Sequence, residues 1–139
     1  MSTPRTFISF DFDNNSNHKL LFSGQAKNSR TPFNIADWSS KEALPQSIWE
    51  RKIAEKISRC NLMIVLVGRQ TAYAKGVIKE IRFAAAHNIP VFGVYVDGAN
   101  TRTPLPTGLP RNMVISWNWE SITSAINIVM RPTMRSRSY

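Results

Sequence analysis

The chain of 139 residues carries 18 lysines and arginines against 9 aspartates and glutamates, and it has a single cysteine. This length suits one domain, and the lone Cys60 excludes an internal disulfide framework and any cysteine-based zinc site. A hydrophobic content of 42% excludes extended disorder, while the net charge of +9 leaves nucleic acid, a membrane surface or a small anion as candidate partners.

Short apolar runs alternate along the chain with segments of helical periodicity. In chain order the sequence predicts a strand at 7–10, a helix at 16–28, an edge strand at 32–36, a helix at 45–59, a strand at 62–67, a helix at 74–87, a strand at 90–96, a strand at 113–117 and a helix at 119–130. Strands that alternate with helices indicate a parallel sheet covered on both faces. We therefore predict an α/β fold, a flavodoxin-like doubly wound sheet of five parallel strands, over residues 1–130, followed by a basic, disordered tail at 131–139.

The location of the chain in the cell is also predicted from these segments. The longest apolar run, 62–67, is far too short to cross a bilayer, and Met1–Arg5 lacks the apolar stretch of a signal peptide. We therefore expect a cytoplasmic protein that has no membrane partner.

A doubly wound sheet binds its ligands at the carboxyl ends of the strands. The chain contains no GxxxxGK[ST] or GxGxxG motif, so the standard phosphate cradles are not expected there. His18 and His87 lack metal-ligand spacing, which predicts that no metal is bound. The expected edge is formed by the segments that follow Phe10, Ala36, Val67, Val96 and Trp117.

Glu80 is the most informative carboxylate. On a helical wheel it lies roughly 100° from the centre of the apolar stripe that contains Val77 and Ile81. Helical side chains lean toward the N-terminus, so Glu80 leans over Gly76, which has no side chain. Two interpretations remain open: a functional carboxylate at the edge of the sheet, or a solvated residue that pairs with Arg82 or Lys79 while Gly76 merely starts the helix.

The order of several short motifs resembles the TIR-like domain family, which includes the Thoeris anti-phage defence proteins. Phe7–Asp11 (FISFD) resembles the first strand of TIR domains, and Asp37-Trp38-Ser39 resembles the start of the loop after the second strand. Residues 58–67 resemble the third strand with the preceding helix end, and 71–81 the helix that carries the family's glutamate. With 89–94, the resemblance covers about residues 5–97.

The resemblance implies a flavodoxin-like fold and an enzyme whose substrate is NAD. Such enzymes cleave the nicotinamide–ribose bond without a metal, and the products are ADP-ribose or a cyclic or otherwise modified ADP-ribose. In Thoeris systems this product activates a separate effector protein. The catalytic carboxylate would be Glu80, and the nucleotide would be bound by Ser9, Phe10, Asp11, Asp37, Trp38 and Ser39.

Alternatives for single residues and for the function accompany this interpretation. Asp11 and Asp13 also suit turn or cap positions, and Ser9 also suits a hydrogen-bonded hydroxyl inside a strand. Many TIR enzymes have tryptophan where this chain has Gly76, so Trp38 or Phe33 is the candidate for an aromatic surface in its place.

The alternative to an NAD-cleaving enzyme is a non-enzymatic module that self-associates, consistent with a homo-oligomer. Nucleic-acid binding ranks last, because no basic helix accompanies the charge.

Overall fold

One sheet and four helices make up the part of the chain that the computed structural model describes, residues 3–28, 31–41 and 43–136. The strands are β1 (Arg5–Ser9), β2 (Asn34–Trp38), β3 (Leu62–Val67), β4 (Val91–Tyr95) and β5 (Val114–Ile115). The helices are α1 (Phe12–Asn28), α2 (Gln46–Ser58), α3 (Lys75–Ala86) and α4 (Trp119–Ser136). All strand pairs are parallel, in the order β2-β1-β3-β4-β5, so the predicted flavodoxin-like fold is confirmed.

The strand order explains why β3 is the most apolar segment of the chain. It lies in the middle of the sheet between β1 and β4, and all six of its residues are buried. A central parallel strand covered by helices on both faces has no solvated side, so its sequence is continuously apolar instead of alternating. The chain reverses its direction of winding between β1 and β3, where doubly wound sheets open a crevice for ligands.

Two apolar clusters lie on opposite faces of the sheet. On one face Phe22 of α1 and Ile122 of α4 pack with Ile8, Ile64 and other alternate strand residues. On the other face the neighbouring strand residues pack against α2 and α3, which contact one another. Successive side chains of a strand point to opposite faces, so each strand contributes to both clusters.

Several predicted boundaries differ from the structure. β2 begins and ends two residues later than predicted, which places Asp37 and Trp38 inside the strand. The predicted strand at 113–117 is reduced to Val114–Ile115, because a short 3-10 turn at Arg111–Met113 precedes it. Such short edge segments are specified by pairing with β4 more than by their own apolar pattern.

The outer helices show a similar difference. α1 starts at Phe12, and Leu20 and Leu21, which favoured a helix at 16–28, are exposed while Phe22 and Ala26 are buried. α4 continues to Ser136 and so includes the first six positions of the predicted tail; positions 137–139 lie outside the described residues. A packed helix gains one hydrogen bond per added residue, so the apolar stripe does not mark its end.

No helix among the described residues is both long and apolar enough to span a bilayer.

Candidate active site

Glu80 is a buried carboxylate held by two serine hydroxyls. Only 1% of the residue is exposed, although it belongs to a surface helix. Its Oε1 accepts a hydrogen bond from the Ser39 hydroxyl at 2.6 Å and another from the Ser9 hydroxyl at 2.8 Å. Ser9 ends β1 and Ser39 follows β2, so two neighbouring strands bring both donors to the carboxyl edge of the sheet.

The flank of α3 that carries Glu80 faces α2. One turn earlier, the nearest atoms to a Cβ built on Gly76 belong to the Trp49 ring of α2, and Lys79 forms an ion pair with Glu50 of the same helix at 3.0 Å. The interpretation of Glu80 as a solvated residue is therefore wrong. A helical wheel places this flank beside the apolar stripe, but only the packing of α2 against α3 shows that it is covered.

Burial raises the pKa of Glu80 to about 7, because a charged carboxylate is poorly solvated inside the protein. The hydrogen bonds from Ser39 and Ser9, and to a smaller extent the charge of Lys56, oppose this rise in pKa. The carboxyl group therefore changes its charge near neutral pH, a property that is common among functional acids and bases.

The second carboxyl oxygen of Glu80 has no hydrogen-bond partner among the described residues. This atom, Oε2, is buried, and Glu80 lines a cavity of about 710 Å³ at the carboxyl edge of the sheet. A buried acceptor without a donor is costly in an isolated protein, by about 1–3 kcal/mol. The arrangement therefore suits a ligand that donates a hydrogen bond to Oε2, such as a sugar hydroxyl.

The loop after β1 forms one wall of this cavity. Phe10 and Asp11 both line it, and a role of Phe10 in binding a nucleotide stays a prediction. The Phe10 N–H donates to the Ser39 hydroxyl oxygen at 3.0 Å, so Ser39 links this loop to Glu80.

Asp11 also caps α1. Its carboxylate accepts hydrogen bonds from the Asp13 N–H at 3.2 Å and from the Asn14 side-chain amide at 2.7 Å. The cap interpretation of Asp11 is therefore confirmed, while a direct role of Asp11 in binding a nucleotide stays a prediction.

Asp37 and Trp38 do not line the cavity. The Asp37 carboxylate lies 3.8 Å from the Lys56 ammonium group on the α2 face of the sheet. On the other face, the Lys19 ammonium group lies 3.8 Å from the centre of the Trp38 ring. Because β2 extends through both residues, strand alternation sends their side chains to opposite faces and leaves Ser39 as the first residue of this segment that reaches the cavity.

Trp49 supplies the aromatic surface that the sequence analysis sought at Trp38 or Phe33. Its indole lines the cavity, and a Cβ built on Gly76 would lie 3.7 Å from the ring, an ordinary contact distance. Phe33 is buried in the aromatic cluster on the opposite face of the sheet. The sequence analysis used Trp49 only as an apolar helix residue, and no local signal relates position 49 to position 76.

Other cavity residues come from loops and helix ends. Phe12 stacks on Phe10 with ring centres 5.9 Å apart, and Tyr73 adds a third ring. The basic residues Lys41, Lys75 and Lys79 also line the cavity.

A polar junction fixes the loops beside the cavity. The Gly68 N–H donates to the Thr71 hydroxyl oxygen at 2.8 Å, and this hydroxyl lies 3.4 Å from the side-chain oxygen of Asn15. Asn15 is fully buried at a kink in α1. A Cβ at Gly68 would lie 2.5 Å from the Asn15 side-chain oxygen, so only glycine fits at the end of β3 without a shift.

A second cavity, of about 890 Å³, lies between α4 and β5. Its walls are formed largely by Met113, Ile115, Ile128 and Val129, and its one carboxylate, Glu120, belongs to an exposed residue. The smaller cavity is the better candidate for a reaction site, because it contains a buried carboxyl group with an unpaired oxygen.

Within residues 3–28, 31–41 and 43–136, no three side chains of His, Cys, Asp or Glu lie close enough together to hold a metal ion.

Comparison with known proteins gives one family. Residues 7–101 match the family model described as Thoeris protein ThsB, TIR-like domain. No curated protein matches the chain. The matched range includes the last three residues of β1, all of β2 to β4 and all three residues of the carboxyl–hydroxyl cluster, Ser9, Ser39 and Glu80.

Proposed function

The chain belongs to the TIR-like domain family of the Thoeris protein ThsB, an anti-phage defence family, and on this basis we propose that it cleaves NAD at the nicotinamide–ribose bond. The observation that carries the proposal is the Glu80 carboxyl group at the cavity, with Oε1 held by two hydroxyls and Oε2 unpaired. A sugar hydroxyl is a suitable donor for this second oxygen.

In the proposed reaction the bond between the nicotinamide nitrogen and the ribose anomeric carbon breaks. Its electron pair leaves with the nitrogen, so the positively charged pyridinium ring becomes neutral nicotinamide. Positive charge develops on the ribose, as in the oxocarbenium-like transition state of glycoside hydrolysis. The ionised Glu80 carboxylate stabilises this charge, and the low polarity that raises its pKa also strengthens the attraction.

The ribose cation is then captured by a nucleophile. Water yields ADP-ribose and releases a proton, whereas a nucleophile within the same nucleotide yields a cyclic product. We propose an ADP-ribose-derived product of this kind as the signal that activates a separate effector protein.

The positive charge of the chain supports an anionic substrate. Lys75 lies on α3 at the cavity, whereas the two other lysines there form ion pairs, Lys79 with Glu50 and Lys41 with Asp13. The charge of Lys75 and the net charge of +9 would attract the diphosphate of NAD, while the carboxyl group of Glu80 would hold ribose hydroxyls. The same field would draw nucleic acid, so we propose the small anion on the basis of the buried Glu80 carboxyl group in the cavity.

The test is nicotinamide release from NAD by the wild-type chain and by Glu80→Gln, with Glu55→Gln as the control. Glu55 is exposed on α2 and pairs with Arg59, so its variant changes the same functional group away from the cavity. We expect Glu80→Gln to lower turnover about a hundred- to a thousandfold, similar to the loss of a principal electrostatic group in other enzymes. We expect Glu55→Gln to match the wild type.

The assay also needs cells, because family members can require a trigger. Cells that express each variant are infected with phage, and small molecules are followed by mass spectrometry. An ADP-ribose-derived compound that forms with wild type and Glu55→Gln but not with Glu80→Gln supports the proposal. Equal protection by wild type and Glu80→Gln without any such compound would overturn it and favour a self-associating module.

A further inference from the structure

Trp49 lies in the cavity in a defined position. Its indole N–H donates to the Ser40 carbonyl oxygen at 3.1 Å, which ties α2 to the segment after β2. The adjoining edge of the six-membered ring faces Gly76, with ring carbons 3.7 Å and 3.8 Å from the position of a Cβ. Part of the ring packs against the apolar cluster of the α2 and α3 face, and the residue is half-buried.

This position brings an aromatic surface next to the reacting group. Gly76 and Glu80 are four residues apart on α3, so their side-chain positions lie about 5–6 Å apart on one flank of the helix. Because Gly76 has no side chain, the indole edge lies against the first turn of α3, and the indole, Gly76 and Glu80 all line the same cavity. A flat ring in contact with the indole would have its attached sugar within reach of the carboxyl group.

We propose that Trp49 is a substrate-binding residue whose indole packs against the nicotinamide ring of NAD. The inference deepens the proposed function and rests on it. Of the two rings of NAD, only nicotinamide is bonded to the ribose carbon that reacts, whereas adenine is separated from it by a second ribose and the diphosphate. A ring one helical turn from Glu80 is therefore the leaving group.

The inference also explains the role of glycine at position 76. A Cβ there would already lie 3.7 Å from the indole, so a side chain larger than alanine would displace the ring from the flank of α3 that carries Glu80. Gly76 is the second residue of α3, so this glycine also lies where the sequence alternative placed it, at the start of the helix.

The experiment compares Trp49→Phe with Trp49→Leu. Both side chains are apolar and of similar size, but only phenylalanine keeps a flat ring. Trp117→Leu is the control, because Trp117 packs on Phe22 on the other face of the sheet. Turnover of NAD gives KM and kcat, and calorimetry gives the affinity of each chain for nicotinamide mononucleotide and for AMP.

We expect Trp49→Leu to raise KM about tenfold and to change kcat less, since stacking on an aromatic side chain contributes to binding at that level. Trp49→Phe should retain most of the affinity. Trp49→Leu should lower the affinity for nicotinamide mononucleotide by a similar factor and leave the affinity for AMP unchanged. A purely structural role would lower the affinity for both nucleotides and would not distinguish phenylalanine from leucine.

The outcomes separate the inference from the proposed function. If Trp49→Leu turns over NAD with an unchanged KM, the role of Trp49 is overturned and the proposed activity stands. Selective loss of nicotinamide mononucleotide binding supports the role of Trp49 even if neither the purified chain nor infected cells turn over NAD, a result that overturns the proposed activity alone. If Trp49→Leu lowers the affinities for AMP and for nicotinamide mononucleotide equally, the assignment of Trp49 to the nicotinamide ring is overturned.

Discussion

The two faces of the sheet differ in what they bury. Beneath α1 and α4, the rings of Phe22, Phe33 and Trp119 pack together, with Phe22 in contact with both of the others. Beneath α2 and α3, the side chains form a second apolar cluster, and the buried Glu80 carboxyl group lies next to it at the carboxyl edge of the sheet. The first arrangement stabilises the fold through apolar contact, whereas the second reduces stability to keep an ionisable group in a water-poor site.

This difference shows how one small domain combines stability with a reactive site. Every strand contributes residues to both faces, so the aromatic face can hold the strands in register while the other face carries a destabilising group. Functional sites commonly contain such locally unfavourable groups.

Removal of an aromatic ring should cause the largest change. Phe22→Ala removes a fully buried ring and is expected to lower the free energy of unfolding by about 3–5 kcal/mol. Chemical denaturation measures this loss, and Phe22→Leu, which leaves a smaller cavity, should lose less. If Phe22→Ala cost no more than an exposed substitution, the aromatic face would not be the main source of stability.

Removal of the charge of Glu80 should stabilise the protein at high pH. The pKa of Glu80 rises from its ordinary value of 4.5 to about 7 on folding, so the folded chain binds a proton between these values that the unfolded chain does not. The contribution of Glu80 is therefore most favourable below pH 4.5 and is lost as the pH rises through about 7. At pH 8 the free energy of unfolding of Glu80→Gln should exceed that of the wild type by about 3 kcal/mol.

Denaturation curves of both proteins at pH 4 and pH 8 check this expectation. Most of the advantage of Glu80→Gln should disappear at pH 4, where the wild-type carboxyl group is mostly neutral in both states. An equal difference at the two pH values would show that the effect comes from packing and not from charge.

An alanine at position 68 should disturb the polar junction of Gly68, Thr71 and Asn15 beside the cavity. Its Cβ would lie 2.5 Å from the side-chain oxygen of Asn15, which belongs to α1, while Gly68 leads toward α3. We expect Gly68→Ala to lower the free energy of unfolding by about 1–3 kcal/mol, as overpacked sites do. Gly24→Ala is the control, because no atom lies within 4 Å of its added Cβ. Similar stabilities of the two variants would contradict the close approach at Asn15.

The smallest expected effect is a change in the titration of Glu80. Ser39→Ala and Ser9→Ala each remove a donor that favours the ionised carboxyl group, so each should raise the pKa of Glu80. The rise should be larger for Ser39→Ala, because the Ser39 hydrogen bond is the stronger influence. Carbon-13 NMR of the side-chain carboxyl follows this titration directly and does not depend on turnover.

Ser58→Ala serves as the control for this titration, because the Ser58 hydroxyl donates to the Glu55 carbonyl oxygen away from the cavity. A midpoint that does not change in Ser39→Ala would show that the hydroxyl bonds do not set the charge of Glu80.

The sequence predicted the strands and helices that have strong patterns. The apolar run at 62–67 became β3 with the predicted bounds, and Val77, Ile81 and Ala84 form the buried stripe of α3. The weaker patterns predicted less: Leu20 and Leu21 are exposed, and β2 is displaced by two residues. Local periodicity does not record which neighbour covers a face, and the register of β2 depends on β1.

For the site, the motif order led to Glu80 and to Phe10, Asp11 and Ser39, all of which line one cavity. It could not identify Trp49, which meets Gly76 only because α2 packs against α3. It also could not separate Trp38 from Ser39, because that depends on where β2 ends.

By itself the sequence determined the alternation of strands and helices, the apolar centre of the sheet and the glutamate on α3, since local periodicity and spacing are enough to predict each of them. Only the tertiary structure decided that Glu80 is buried, that Ser9 and Ser39 both donate to it, and that an indole from α2 lies beside it. These three facts join residues up to 71 positions apart, and such contacts exist only once the parallel strands and their helices are packed.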